Sequence, residues 1–387
     1  MGTPWGRAFF LALATLTGLV ACETEPGPTG PLADTVGNEG VGGDVTGTDT
    51  ITPGGPCAYP GAQGSVVHAL VSATTQADVD ALAGCTEIGG LQIVGTSDVT
   101  NLDALASLTH VREWDDVVVS GTLLISGNTG LIDGSGLGNL RVVEWGLSVM
   151  SNPVLRQINL PALEQVGTLD EVSSGLAIQS NAAATLLDLG ALTTVVNGFS
   201  IIGNTALAEV RLGSLRSVTT RDGDLNVSQN ALLPALRLPS LVSLEGHLTL
   251  NNNAALDTVE APLLAAVDGW VGVSGNANLY DLSLPALASP VDAVVVTDNE
   301  ALGSVSMPSL PSVLDKGWDD TMSEGNLEIG GNAVLGALDF GALTRIDGSL
   351  QIHDNPSLPT ADAEDLKTQV ETAGGVGAGA SVWGNGD

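Results

Sequence analysis

One pattern of apolar and polar positions recurs along most of the chain. It is an apolar residue, any residue, then Leu, Ile or Val, two further residues and an asparagine. The copies are Leu123-x-Ile125-x-x-Asn128, Leu147-x-Val149-x-x-Asn152, Leu176-x-Ile178-x-x-Asn181, Phe199-x-Ile201-x-x-Asn204 and Leu225-x-Val227-x-x-Asn230. They continue as Leu248-x-Leu250-x-x-Asn253, Val271-x-Val273-x-x-Asn276, Val294-x-Val296-x-x-Asn299, Leu327-x-Ile329-x-x-Asn332 and Leu350-x-Ile352-x-x-Asn355. Successive asparagines lie 24, 29, 23, 26, 23, 23, 23, 33 and 23 residues apart, so 23 is the unit and the longer values are insertions. Degenerate copies, Leu91-x-Ile93 with Thr96 and Ala380-x-Val382 with Asn385, bring the total to about twelve.

Each unit carries two more apolar clusters, as in Leu236-x-Leu238-Pro239-x-Leu241-x-x-Leu244 or Leu282-x-Leu284-Pro285-x-Leu287. Short apolar groups with period two, broken by proline or glycine, predict strands and not helices. Three strands per unit predict a three-sided coil whose turns pair through backbone hydrogen bonds at about 4.8 Å, so that about twelve turns run roughly 55 Å. The expected fold is an all-β solenoid, with Leu, Ile and Val stacked inward as one core that no single unit sustains alone. The asparagine column has a structural reading first. At a corner the short amide bonds backbone groups left unpaired, tolerates left-handed φ and bonds its neighbours up the column.

The open ends of such a coil need covering. Thr75 to Ala83 reads as a short helix with Thr75 as its cap and Val79 and Leu82 facing inward. Thr360 to Ala373 reads as another, capped by Thr360, with Asp362 and Glu364 in its first turn, Leu366 and Val370 four apart and Gly374 as its stop. Ahead of the repeats lie Arg7, an apolar run from Ala8 to Val20 and then Cys22, followed by an acidic stretch rich in glycine, threonine and proline that runs to Pro56. The run is too short to span a bilayer and reads as an export signal. The stretch after it has too few large apolar groups to order itself, and as a tether spans roughly 30 Å. In the oxidising compartment this implies, Cys57 and Cys85 are expected to form a disulfide that braces the first cap; a zinc site lacks ligands, with only His68 near. The expected organisation is a signal peptide over 1–21, Cys22 and the tether over 22–56, an amino-terminal cap over 57–90, repeats over 91–358, and a cap helix with a last strand over 359–387.

Two resemblances follow from these residues. Leu19-Val20-Ala21-Cys22 resembles the lipobox of bacterial lipoproteins, which implies that Cys22 is acylated and that the chain is held on a membrane by lipid. Glu23 lacks the aspartate that resembles an inner-membrane retention signal, so the expected location is the outer membrane or cell surface. The Leu-x-Ile-x-x-Asn-x-x-Leu core, the Leu-Pro-x-Leu-x-x-Val stretch and Thr75-Gln-Ala-Asp78-Val-Asp-Ala-Leu82-Ala-Gly-Cys85 together look like receptor L-domain proteins, relatives of leucine-rich repeats, over about residues 65 to 387. That resemblance implies a right-handed β-helix of leucine-rich rungs. It says little of function, because its motifs are core residues. Members often carry a second cysteine pair near the carboxyl end; none follows Cys85 here, and no transmembrane or kinase segment supports a signalling role.

Charge narrows the partners. Asp and Glu number 44 against 11 Lys and Arg, a formal charge of −33, which argues against nucleic acid because phosphate contacts need clustered cations. Polyuronate lyases need cations too, and hydrolases need paired carboxylates about 5–10 Å apart in a cleft. Pairs occur at Asp115-Asp116, Asp170-Glu171 and Asp319-Asp320, but among so many acids adjacency says little, and His68, His110, His247 and His353 have no fixed partner in the sequence. Calcium requires a defined loop of oxygens that no segment displays. No catalytic residue, cofactor or metal is therefore expected. Insertions fall mainly before the Leu-x-Ile strand, at Arg112 to Ser120, Gly167 to Ser174, Thr219 to Asp222 and Leu314 to Glu324, which places them on one edge of a solenoid. Trp114-Asp115-Asp116 and Trp318-Asp319-Asp320 lie in two of them, and Trp145 and Trp270 just precede their strands. Indole beside carboxylate suits a glycan or a basic protein segment, although the two Trp-Asp-Asp loops, eight turns and roughly 38 Å apart, cannot share a small ligand. The outward strand residues Gln92, Ser148, Ala177, Ser200, Asn226, Thr249, Gly272 and Gln351 are small or polar, which shifts binding to the loop edge. The expected function is a non-catalytic envelope-anchored binding protein; the alternatives are a passive structural component and a glycan-processing β-helix enzyme.

Overall fold

A computed structural model describes residues 57–114, 121–168, 175–220, 222–317 and 325–387. They form short strands almost throughout, with two α-helices, and pairing between strands of successive turns is parallel. The repeat residues stand in register. Leu91 lies beside Leu123, Leu123 beside Leu147, Leu147 beside Leu176, and the column continues through Phe199, Leu225, Leu248, Val271, Val294, Leu327 and Leu350 to Ala380. The register holds across the 33-residue spacing, where Val294 pairs with Leu327, so no strand slips. A slip of one residue would turn every inward side chain outward.

The two smaller clusters of each unit build two further columns. Leu186–Asp188 lies between Gln157–Asn159 and Glu209–Arg211; Thr194–Val196 lies between Gln165–Val166 and Ser217–Thr219. The first of these columns is broken into short sheets, Ala235–Arg237 pairing only with Thr258–Glu260, whereas the signature column is continuous. Alternate side chains face one interior, where Leu225, Leu248 and Val271 form one stack and Val227, Leu250 and Val273 another, all fully buried. The buried apolar residues make a single continuous core from Val67 to Val370.

The amino-terminal end holds a strand that the repeat pattern does not show. Val66–Ala73 pairs in parallel with Glu87–Val94, with an irregularity between Val67 and Leu70. It follows the core alternation but lacks the asparagine signature, because the chain leaves it directly for helix α1, Gln76–Asp80. This helix is shorter than the expected Thr75 to Ala83. Thr75 caps it reciprocally: its hydroxyl accepts the Asp78 N–H at 3.2 Å, and Asp78 Oδ2 accepts the Thr75 N–H at 2.8 Å. The Thr74 N–H, the Thr75 hydroxyl and the Thr75 N–H hold the Asp78 carboxyl below its ordinary pKa. Val79 and Leu82 are buried as expected.

At the other end helix α2 spans Thr360–Ala373 and buries Ala363, Leu366 and Val370. Its cap differs from expectation. Pro359 holds the capping position, and Thr360, already helical, has its N–H and hydroxyl satisfied by the Gly386 carbonyl at 2.7 Å each. The last strand, Gly379–Trp383, pairs with Ser349–His353, so that helix and strand close on one another.

Cys57 and Cys85 form a disulfide that closes a 28-residue separation around the first strand and α1. A loop of that length is expected to contribute about 3–4 kcal/mol by restricting the unfolded chain. Replacing both cysteines by alanine should lower the urea midpoint and speed amide exchange first in Val66–Ala73. Equal exchange in the two proteins would show that the bridge does not brace this end.

Candidate functional site

The repeat asparagines are fully buried. Asn253 shows their common geometry. Its Oδ1 accepts the Asn230 N–H at 3.0 Å and Asn230 Nδ2 at 3.3 Å, while its Nδ2 donates to the Val227 carbonyl at 2.9 Å and to Asn276 Oδ1 at 3.2 Å. The same set recurs at Asn128, Asn152, Asn181, Asn204, Asn230, Asn276, Asn299, Asn332 and Asn355. The ladder starts where Thr96 gives its N–H and hydroxyl to Asn128 Oδ1, and ends at Asn385, whose Nδ2 reaches the Ile352 carbonyl. These side chains have no capacity left for a ligand.

One element of the expectation is corrected. The left-handed residue at this corner is the one before each ladder position, Thr96 or an asparagine: Gly95, Gly127, Ser151, Ser180, Gly203, Gln229, Asn252, Gly275, Asp298, Gly331, Asp354 and Gly384, with φ from 52° to 69°. The ladder asparagines point inward and serve as bonds. The neighbours take the strained turn, which is why glycine, serine, asparagine and aspartate dominate there. At Gly275 a Cβ would stand 2.6 Å from Asn252 Oδ1, so a larger residue there would have to displace the amide of the turn before.

The second corner, where insertions enter, is built differently. Beside the backbone bonds between turns, carboxylates and an imidazole also accept backbone N–H groups there. Glu144 Oε2 accepts the Glu113 N–H at 2.8 Å, Glu245 Oε2 accepts the Thr220 N–H at 2.8 Å, and the buried Asp292 accepts the Lys316 N–H at 2.6 Å through Oδ1. Asp224 Oδ1 accepts the His247 N–H at 2.8 Å, and His247 Nδ1 accepts the Trp270 N–H at 3.0 Å. Several acids of this edge are therefore anchors for loop bases.

Of the candidate edge residues, Trp114 and Trp145 are half-buried, Trp114 stacking on His68 with ring centroids 4.6 Å apart. Trp270 departs from expectation. It is 5% exposed, lies parallel to His247 at 3.8 Å and donates from Nε1 to Thr249 Oγ1 at 3.3 Å. Its ring folds over the outside of the sheet and does not project from the edge, and Thr249 beneath it is buried, as are Ala177 and Ser200 on the same outward column. Asp115, Asp116, Trp318, Asp319 and Asp320 lie outside the described residues, as do Cys22, the pair Asp170-Glu171, the expected signal peptide and the tether.

The histidines do have partners. His68, His247 and His353 each stack on a tryptophan, and His353 also meets Asp354 through Nδ1 at 3.1 Å and Glu328 through Nε2 at 3.3 Å. One stack was readable in advance, since His247 and Trp270 are one 23-residue unit apart. Among the described residues, no group of three or more His, Cys, Asp or Glu is arranged to hold a metal ion, and no helix is long and apolar enough to cross a membrane. No protein-family model, no curated protein and no solved structure matches the chain.

Proposed function

We infer that the protein is a non-catalytic binding protein of the cell envelope, held on a membrane by an acylated Cys22, which presents the insertion edge of its coil to a protein or a glycan. The coil in this reading is right-handed, with about twelve leucine-rich turns, and is related to the receptor L domains. The observation that carries the reading is the concentration of loop insertions, half-buried indoles and carboxylate anchors at one corner of the repeat: Trp114 and Trp145 sit at loop bases joined by the Glu144 to Glu113 bond. Such anchoring holds the bases of the inserted loops while their sequences vary, the usual division of labour between scaffold and binding loop.

A glycan array and a pull-down from envelope extracts, comparing wild type with the Trp114→Ala, Trp318→Ala double variant, test the edge. Loss of a bound species in the variant is the expected result; unchanged binding removes the edge from consideration. Labelling with a radioactive fatty acid, abolished by Cys22→Ala, tests the anchor. The small, polar outward strands and the continuous core equally suit a passive spacer, which would tolerate deletion of the insertion loops without loss of function.

A further inference from the structure

The coil ends on a turn that lacks a successor. Gly379–Trp383 pairs with Ser349–His353 on one side, and among the described residues no strand pairs with its other side. Interior turns show what that side offers. Leu225 gives its N–H to the His247 carbonyl of the next turn at 2.8 Å, and Ser151 gives its N–H to the Gln179 carbonyl at 2.9 Å. Ala380 and Gly384 hold the same places in the repeat, with Val382 between them, so the N–H groups of all three face away from Ser349–His353. The side chains of Ala380 and Val382 are half-buried, whereas Leu350 and Ile352 of the turn before are fully buried. Asn385 is incomplete in the same sense. Its Oδ1 accepts from Asn355 and its Nδ2 reaches the Ile352 carbonyl. Its own N–H and second amide hydrogen, which each interior ladder asparagine gives to the next, have no following turn to meet. Helix α2 lies against the other columns, where Gln369 Nε2 donates to the Phe340 and Leu343 carbonyls at 2.9 Å each, so the signature column ends on a bare strand.

We propose that the free edge of Gly379–Trp383, with Asn385, docks an extended segment of a partner protein, which adds in parallel as one further turn. The segment carries the repeat's own signature: two apolar residues separated by one, then two residues and an asparagine. Three features of the edge select it. The outward N–H groups take a strand through backbone bonds, as sheets with an open edge do. Ala380 and Val382 need alternate apolar side chains to complete the core stack. Asn385 needs one oxygen within reach of both its N–H and its Nδ2, and in the interior that oxygen is an asparagine Oδ1, as Asn276 provides to Asn253 at 3.1 and 3.2 Å. The edge also lacks the guards that free strands ordinarily carry, since Gly379-Ala-Ser-Val-Trp383 contains no charge and no proline. A second copy of this chain does not fit. Gln76 holds the ladder place after its first strand, and Gln76 Oε1 already accepts the Thr100 and Asn101 N–H groups at 2.9 and 3.4 Å. The proposal does not rest on the insertion edge, and either can fail without the other.

The test titrates the full chain with three end-blocked peptides and follows amide hydrogen exchange by nuclear magnetic resonance. The first peptide is Gly246–Leu256 of this sequence, which contains Leu248-x-Leu250-x-x-Asn253. The second is the same peptide with Asn253→Ala. The third exchanges Leu248 with Thr249 and Leu250 with Asn251, which turns its apolar residues to the outer face. In the free protein the Ala380 and Val382 amides should exchange fast while those of Ser381 and Trp383, which face Ser349–His353, are protected. The expected result is saturable protection of Ala380 and Val382 by the first peptide, at least about threefold weaker binding of the second, and no protection by the third. Continued protection of Ser381 and Trp383 reports that the last strand stays docked throughout. Protection of Ala380 and Val382 in the free protein, none with the first peptide, or equal binding of either altered peptide would each overturn the proposal. Protection that grows with protein concentration alone would identify self-association and overturn it too.

Discussion

Replacing Asn253 by alanine is expected to destabilise the fold by roughly 3–5 kcal/mol, because it strips partners from groups that water cannot reach. The Asn230 N–H loses its acceptor and the Val227 carbonyl loses the Nδ2 donor, each in a fully buried corner. Position along the ladder matters. Asn385 bonds the Asn355 N–H and Nδ2 at a part-buried end, where solvent replaces lost bonds, so Asn385→Ala should cost only about 1 kcal/mol. Asn253→Asp separates bonding from shape. A carboxylate there faces the Val227 carbonyl without a proton to donate, so the folded state favours the protonated acid and raises its pKa above the unfolded value near 3.9. With the folded pKa raised, the stabilising form is fully present at low pH and is lost as pH rises. Urea midpoints of Asn253→Asp should therefore climb relative to wild type on acidification from pH 7 to about 4. A flat difference across that range would mean that the side chain is not buried against the carbonyl.

Leu250→Ala is the second large loss, about 3–5 kcal/mol. Leu250 is fully buried between Val227 and Val273, and the parallel ladders on both sides hold the backbone in place, so the walls have little freedom to collapse into the cavity. The consequence goes beyond the midpoint. In a stack where each turn touches only its neighbours, a lesion in the middle weakens two interfaces at once and divides the cooperative unit. Hydrogen exchange should show faster opening on both sides of Leu250. Ile93→Ala, near the first turn, should instead release the amino-terminal strands alone. Uniform acceleration in both variants would indicate a single all-or-none unit.

What the sequence made legible was set by repetition. The 23-residue spacing, the three apolar clusters and the alternation of Leu248, Leu250 and their equivalents are sufficient to predict parallel stacked strands, because burial on one face leaves no other register. The asparagine column was legible for the same reason. The left-handed turn belongs not to the asparagine, as expected, but to the residue before it, where glycine, serine, asparagine or aspartate carry the signal at most ladder positions. Features that occur once were not legible. Val66–Ala73 has no signature asparagine because a helix replaces the corner that follows it, and Thr360 loses the capping role because the Gly386 carbonyl arrives from the segment after the last strand. The His353–Trp383 stack spans 30 residues, a spacing that no other turn shares, so only the pairing of the final strand brings the rings together. For the edge, the sequence located the tryptophans and acids but not their work: Trp270 folds back on the sheet, and Glu144, Glu245 and Asp292 bind backbone N–H groups of the loops.

In-register parallel pairing across unequal spacings is measured directly by paired cysteines. Val295 and Glu328 stand opposite one another across the longest insertion, while Gln351 lies one turn further on. Neighbouring turns at about 4.8 Å fall within disulfide reach, and two turns, about 9–10 Å, do not. Under mild oxidation the Val295→Cys, Glu328→Cys protein should cross-link nearly completely, and the Val295→Cys, Gln351→Cys protein should remain reduced. Equal yields, or the reverse order, would contradict the stacked coil and every conclusion built on its corners.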